Sequence, residues 1–148
     1  MTIENRNNRP VALVTGAGQG IGAEIALRLA ADGHDVALGW NSKEPREIIS
    51  KIEAAGARAV PVKLDIRSPT AIGDGISEVA QMLGGLDVLV NNAGVTLRQL
   101  AIDVTPEEWQ TVLDCNLTGT FFMCQQMARH LLAAKRPGCI VNIASAHG

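Results

Sequence analysis

Tyrosine is absent from this 148-residue chain, so no phenol is available in it as an acid or nucleophile. Cysteine is scarce and odd in number. Cys115, Cys124 and Cys139 form no C-x-x-C pair, and none has a histidine at ligand spacing. They read as core thiols in a reducing compartment, with neither a structural zinc nor a disulfide framework expected. Charge of one sign is not in excess: 15 acidic against 13 basic residues give a formal charge of −2. Nucleic acid and anionic membrane surfaces are therefore not expected partners. No apolar run reaches the roughly 18 residues of a membrane span. The opening MTIENRNNRP is polar, without the apolar stretch of a secretory signal, so a cytoplasmic location and a small-molecule partner are expected. What the chain does have is core material, 47% hydrophobic against 19% charged, which fits one soluble globular domain and excludes disorder.

Val11-Ala12-Leu13-Val14 is a short apolar run that stops at Thr15-Gly16 and suits a strand buried on both faces. A glycine-rich turn follows. Ile21, Ile25 and Leu29 then recur at helical spacing until Gly33 supplies a stop. Residues 36–40 predict a second strand, and Ile48, Ile49, Ile52 and Ala55 a second helix ending at Gly56. Residues 59–64 predict a third strand, which Pro61 assigns to a sheet edge. Ser68-Pro69 reads as an N-cap followed by a first-turn proline, with Ile72, Ile76, Val79 and Leu83 as one apolar stripe before Gly84-Gly85. A fourth strand at 88–90 runs into Asn91-Asn92-Ala93-Gly94. Thr105-Pro106-Glu107-Glu108 satisfies the capping-box rule and predicts a single long helix from Thr105 to about Arg136. Its apolar flank is Trp109, Val112, Leu113, Leu117, Phe121, Cys124, Met127, Ala128 and Leu131, with Phe122, Met123 and Leu132 beside it. Residues 140–143 form a fifth strand. This alternation implies one doubly wound α/β domain over residues 1–148, a parallel sheet in the order 3-2-1-4-5, with ligand sites at the carboxyl ends of the strands.

Between the first strand and first helix lies Thr15-Gly16-Ala17-Gly18-Gln19-Gly20-Ile21-Gly22, where backbone amides and the helix dipole favour a phosphate. A P-loop is excluded because no Lys-Ser or Lys-Thr follows. The spacing T-G-x-x-x-G-x-G, filled by Thr15, Gly16, Gly20 and Gly22, resembles the short-chain dehydrogenase/reductase family, a Rossmann-type fold. Further motifs in the same order agree. Asp65 after the third strand, with Ile66, sits where that family contacts the adenine ring, and Asn91-Asn92-Ala93-Gly94 matches its N-N-A-G signature, with Asn92, Ala93 and Gly94 at the cofactor. Asn116 matches its catalytic asparagine and Ser145 its catalytic serine. Each also has a plainer reading: Asp65 as a strand-end cap, Asn91 as a tie between loops, Ser145 as a turn serine. An unpaired Asn116 amide on an apolar helix flank would cost on the order of 1–3 kcal/mol, so it needs a specific partner.

The end of the second strand discriminates between nicotinamide cofactors by electrostatics. A carboxylate there would accept from the ribose hydroxyls of NAD and repel a 2′-phosphate. Trp40-Asn41-Ser42-Lys43 offers none before Glu44. Asn41 and Ser42 can donate to a phosphate while Lys43 or Arg46 screens its charge, which favours NADP over NAD. The loop residues Gly16, Gly18, Gln19, Gly20, Ile21 and Gly22 complete the expected cofactor contacts.

In the family that this sequence resembles, a serine orients the substrate oxygen, a tyrosine gives the proton, a lysine lowers the tyrosine pKa, and the helix asparagine supports a water relay. The tyrosine and lysine come as Y-x-x-x-K roughly a dozen residues after the serine, and this chain stops first. His147 reads as a terminal loop residue. The expectation is therefore the cofactor-binding part of a longer reductase, its fifth strand left as an exposed apolar edge. The resemblance implies an NADP-dependent oxidoreductase acting on a carbonyl or secondary alcohol, with 3-oxoacyl thioester reduction the nearest subgroup and a homo-oligomer, dimer or tetramer, formed through the long helix. Sugar or alcohol dehydrogenation and a non-catalytic nucleotide-binding module are the alternatives. A methyltransferase is disfavoured by the missing acid on the second strand.

Overall fold

The computed structural model describes residues 9–145. Five parallel strands, β1 (Val11–Val14), β2 (Asp35–Trp40), β3 (Ala59–Lys63), β4 (Val88–Asn91) and β5 (Cys139–Asn142), form one sheet in the order β3-β2-β1-β4-β5. The expected doubly wound topology is thus present. Pro61, which has no N–H to donate, lies in β3 at one edge, and β5 forms the other edge with all its residues exposed. Helices α1 (Gly20–Ala31), α2 (Arg46–Ala54) and α3 (Pro69–Leu83) connect the first four strands, and α4 (Pro106–Leu113) and α5 (Thr120–Ala134) precede the fifth.

Strand alternation divides the core in two. Val11 and Leu13 of β1 and Ala37 of β2 point toward Ile72, Ile76 and Val79 of α3 and Met123 and Met127 of α5. Their neighbours Val14, Val36 and Leu38 point the other way, toward Ala26 and Ala30 of α1 and Ile52 of α2. Each central strand is consequently apolar on both faces, which is why it reads as a continuous hydrophobic run. Helix ends follow their sequence signals. The Ser68 side chain accepts from the Ala71 amide at the start of α3, and Thr105 and Glu108 form the reciprocal capping box of α4.

The helix expected from Thr105 to Arg136 is the main correction. It is broken by a π-helical segment, Asp114–Gly119, between α4 and α5, and it ends at Ala134, where Lys135 turns left-handed at φ 52°. The expected apolar flank is redistributed. Met123 is fully buried and Phe122 packs against the core, whereas Trp109, Leu117 and Phe121 are exposed at 58%, 64% and 59%. The π segment shifts the face locally, so Phe121 just beyond it turns outward, while Met127 and Leu131 of the expected flank still pack on the core.

Among the described residues no helix is long and apolar enough to cross a membrane.

Candidate cofactor-binding site

The carboxyl ends of β1, β2, β3 and β4 open onto a cleft of about 540 Å³. The β1–α1 loop forms its floor, and two close approaches explain its glycines. Gly16 has φ +65°, and a Cβ there would lie 3.0 Å from Ala93 Cα. Gly22 lies beneath the loop, where a Cβ would collide with the Gly16 carbonyl oxygen and Asn92 Nδ2. Gly22 was expected to touch the cofactor, but it is buried and does not line the cleft. Its smallness lets α1 pack against the β4 loop.

Thr15 joins the two loops. Its Oγ1 accepts from the backbone amides of Asn92 and Ala93, both at 3.0 Å, while Asn92 Nδ2 donates to the Thr15 carbonyl at 3.0 Å and the Gly16 carbonyl at 3.3 Å. The glycine loop and the Asn92-Ala93-Gly94 turn are therefore one hydrogen-bonded unit. Asn91 is a tie as well: its Nδ2 donates to Asn142 Oδ1 at 2.8 Å, joining the ends of β4 and β5.

Every expected cofactor contact other than Gly22 lines this cleft: Gly16, Gly18, Gln19, Gly20, Ile21, Asn41, Ser42, Asp65, Ile66, Asn92, Ala93 and Gly94. Among the cations weighed for a 2′-phosphate, Lys43 lines it and Arg46 does not. Arg46 is held by Glu44 at 2.7 Å. Arg67, Val95 and Cys115 also line the cleft and were not anticipated. Arg67 hydrogen-bonds Asp65, and this bond holds the Asp65 carboxyl below its usual range against the opposing effect of burial. Burial pushes the Cys115 thiol up.

A phosphate-bearing cofactor suits this arrangement. Gln19 at the N-cap of α1 provides no side-chain cap, and no acid lies in the first turn. The amides at this helix start thus meet neither a capping side chain nor a carboxylate of their own helix, leaving the positive end of the dipole directed at the cleft.

The two expected catalytic residues do not line the cleft. Asn116 sits in the π segment. Its Oδ1 accepts from the Val95 amide and its Nδ2 donates to the Val95 carbonyl, both at 2.8 Å. The expected partner is present, but Asn116 is exposed, so these bonds tie the Val95 loop to the π segment and do not relieve a buried amide. Ser145 lies past the end of β5, exposed, beyond an Ile143 amide that still donates to the Asn91 carbonyl. His147 lies outside the described residues.

The family model described as short chain dehydrogenase matches residues 10–148. The chain belongs to the short-chain dehydrogenase/reductase family. It is 40% identical over 139 residues to the 3-oxoacyl-[acyl-carrier-protein] reductase FabG of Staphylococcus aureus, covering 93% of this chain and 56% of the relative. A 3beta-hydroxysteroid dehydrogenase from Eggerthella lenta is 38% identical over 138 residues, covering 91% and 52%. The crystal structure of a short chain dehydrogenase from Burkholderia cenocepacia in complex with NADP superposes with a TM-score of 0.85 at 37% identity, covering 93% of this chain and 56% of that one. The chain thus spans about half the length of the curated relatives it matches.

Proposed function

We propose that the chain carries the cofactor site of an NADP-dependent oxidoreductase that interconverts a carbonyl and a secondary alcohol, with a 3-oxoacyl thioester as the favoured substrate. The observation that carries this reading is the cleft itself: a glycine loop bonded to the Asn92-Ala93-Gly94 turn, an uncapped helix start, and no carboxylate at residues 41–43. Similarity to a relative named as a 3-oxoacyl reductase supports the substrate class.

The bound cofactor would supply the hydride. The chain's own residues would do the rest of what it contributes. Amides at the start of α1 would hold the pyrophosphate, and Asn41, Ser42 and Lys43 would hold the 2′-phosphate. Asn116 would fix the loop at Val95, and Ser145 would orient the substrate oxygen. With no tyrosine in the chain, the general acid step that the family assigns to a tyrosine, typically worth about 10²–10⁴-fold, is not among these contributions. The exposed side chains of α4, the π segment and α5 are read as a contact with a second copy.

Asn41→Asp tests the cofactor assignment. A carboxylate beside the 2′-phosphate is expected to weaken NADP relative to NAD by about 1–3 kcal/mol, read by calorimetry with both dinucleotides. An unchanged ratio would overturn the preference. For the chemistry, Ser145→Ala in the catalytically complete protein is expected to lower kcat while leaving the NADP dissociation constant unchanged. Loss of NADP affinity instead would place Ser145 in the cofactor site.

A further inference from the structure

Asp65 and Arg67 both line the cleft and are joined by three hydrogen bonds. Asp65 Oδ1 accepts from the Arg67 backbone amide at 3.0 Å and from its Nε at 2.9 Å, and Oδ2 accepts from Nη2 at 2.7 Å. A carboxylate has about four lone-pair sites, two on each oxygen. Arg67 fills both on Oδ1 and one on Oδ2. A single acceptor site, on Oδ2, is left. The guanidinium fork is planar, so it fixes the carboxylate plane as well as its position.

Charge gives the clasp a second consequence. A bare carboxylate in a cleft that receives phosphate groups would oppose their binding, and the adjacent guanidinium offsets it. Leu64 and Ile66, buried on either side of Asp65 in sequence, also line the cleft and give this region apolar walls suited to a flat heteroaromatic ring.

We propose that Arg67 is a positioning residue for base recognition, fixing Asp65 so that its one remaining acceptor takes the amino group of a 6-aminopurine and disfavours a 6-oxopurine. The inference rests on the dinucleotide reading above. A 6-oxo group presents an oxygen to that lone pair, which leaves both acceptors without a donor.

Binding of NADP and of its hypoxanthine counterpart, deamino-NADP, tests this by calorimetry on the wild type, Arg67→Ala and Arg67→Lys. The Arg67 side chain is 46% exposed and belongs to neither core cluster, so the variants should fold, with thermal unfolding as the check. The wild type is expected to prefer the amino form by about 10-fold. Arg67→Ala should bind both forms more weakly, with the preference cut to about 2-fold or less. Arg67→Lys restores the charge without the fork and should recover overall affinity but not the preference. A preference retained in Arg67→Ala, or fully restored in Arg67→Lys, would overturn the role of the fork. Failure of the wild type to bind either dinucleotide is a different result, removing the dinucleotide reading and the inference built on it.

Discussion

Asp65 shows how a single residue can be placed by sequence and still have its environment missed. Its position just past an apolar edge strand marks it as a cleft residue, and it lines the cleft. Its partner Arg67 was not legible, because a clasp two residues away depends on the turn in which the Ser68 amide donates to the Asp65 carbonyl, and no hydrophobic period reports that turn. The clasp has a pH signature. Arg67 lowers the Asp65 pKa in the folded protein. The pair's contribution to stability is therefore fully present above the unfolded pKa and is lost as pH falls through the lower folded value. Carbon-13 NMR of the Asp65 carboxyl should give a midpoint below that of a free aspartate, moving upward in Arg67→Ala, where only the backbone amide of residue 67 is left to oppose burial. A wild-type midpoint at the free value would mean that the clasp does not hold in solution. Asn116 teaches a related lesson. The expected need for a partner rested on a buried amide, yet Asn116 is exposed, and its two bonds to the Val95 backbone are a loop tie that only the fold reveals.

Elements whose signals are local were readable, and the one that failed depends on accumulated phase. The capping box at Thr105, the proline-led start of α3 and the edge position of Pro61 each rest on a few adjacent residues, and each appears in the structure. The run from Thr105 onward has apolar residues at helical spacing on both sides of the π segment, so periodicity alone reads it as continuous. Only the change in burial between Phe121 and Met123 exposes the shift. Gly119 in that segment, where a Cβ would crowd the Ile66 carbonyl, brings the helix onto the residues flanking Asp65. The β1–α1 junction is equally tight. In Gly22→Ala the added methyl must displace the Gly16 carbonyl or the Asn92 amide, and two of the bonds joining the loops use those groups. Overpacking of this kind costs about 1–3 kcal/mol, to be read by urea denaturation. Because the same displacement disturbs the phosphate loop, NADP affinity should fall with stability. A variant as stable as wild type would show that α1 can move away from β4 freely.

Across the whole molecule, apolar surface is concentrated on one side of the sheet order. The sheet face under α1 and α2 is closed, whereas Ile140, Val141 and Ile143 at the β5 end and Trp109, Leu117 and Phe121 on the nearby helices remain exposed. Both surfaces lie on the part of the fold built last in the chain. The helical surface is the one for which a second copy is proposed, and the structure determines which residue tests it. Phe122 is partly buried and packs against the core, so a charge there would cost stability and blur any effect on assembly. Phe121 meets Phe122 edge to face, with ring centroids 5.4 Å apart, yet keeps most of its surface in solvent. Phe121→Lys should therefore cost at most about 1.5 kcal/mol of stability, the worth of an aromatic pair. In an assembly it would bury an unpaired ammonium between copies, a penalty large enough to separate them. The expected result is a shift to smaller species in analytical ultracentrifugation with the thermal midpoint nearly unchanged. If sedimentation is unchanged while the side chain remains tolerated, the helical surface is not a contact between copies.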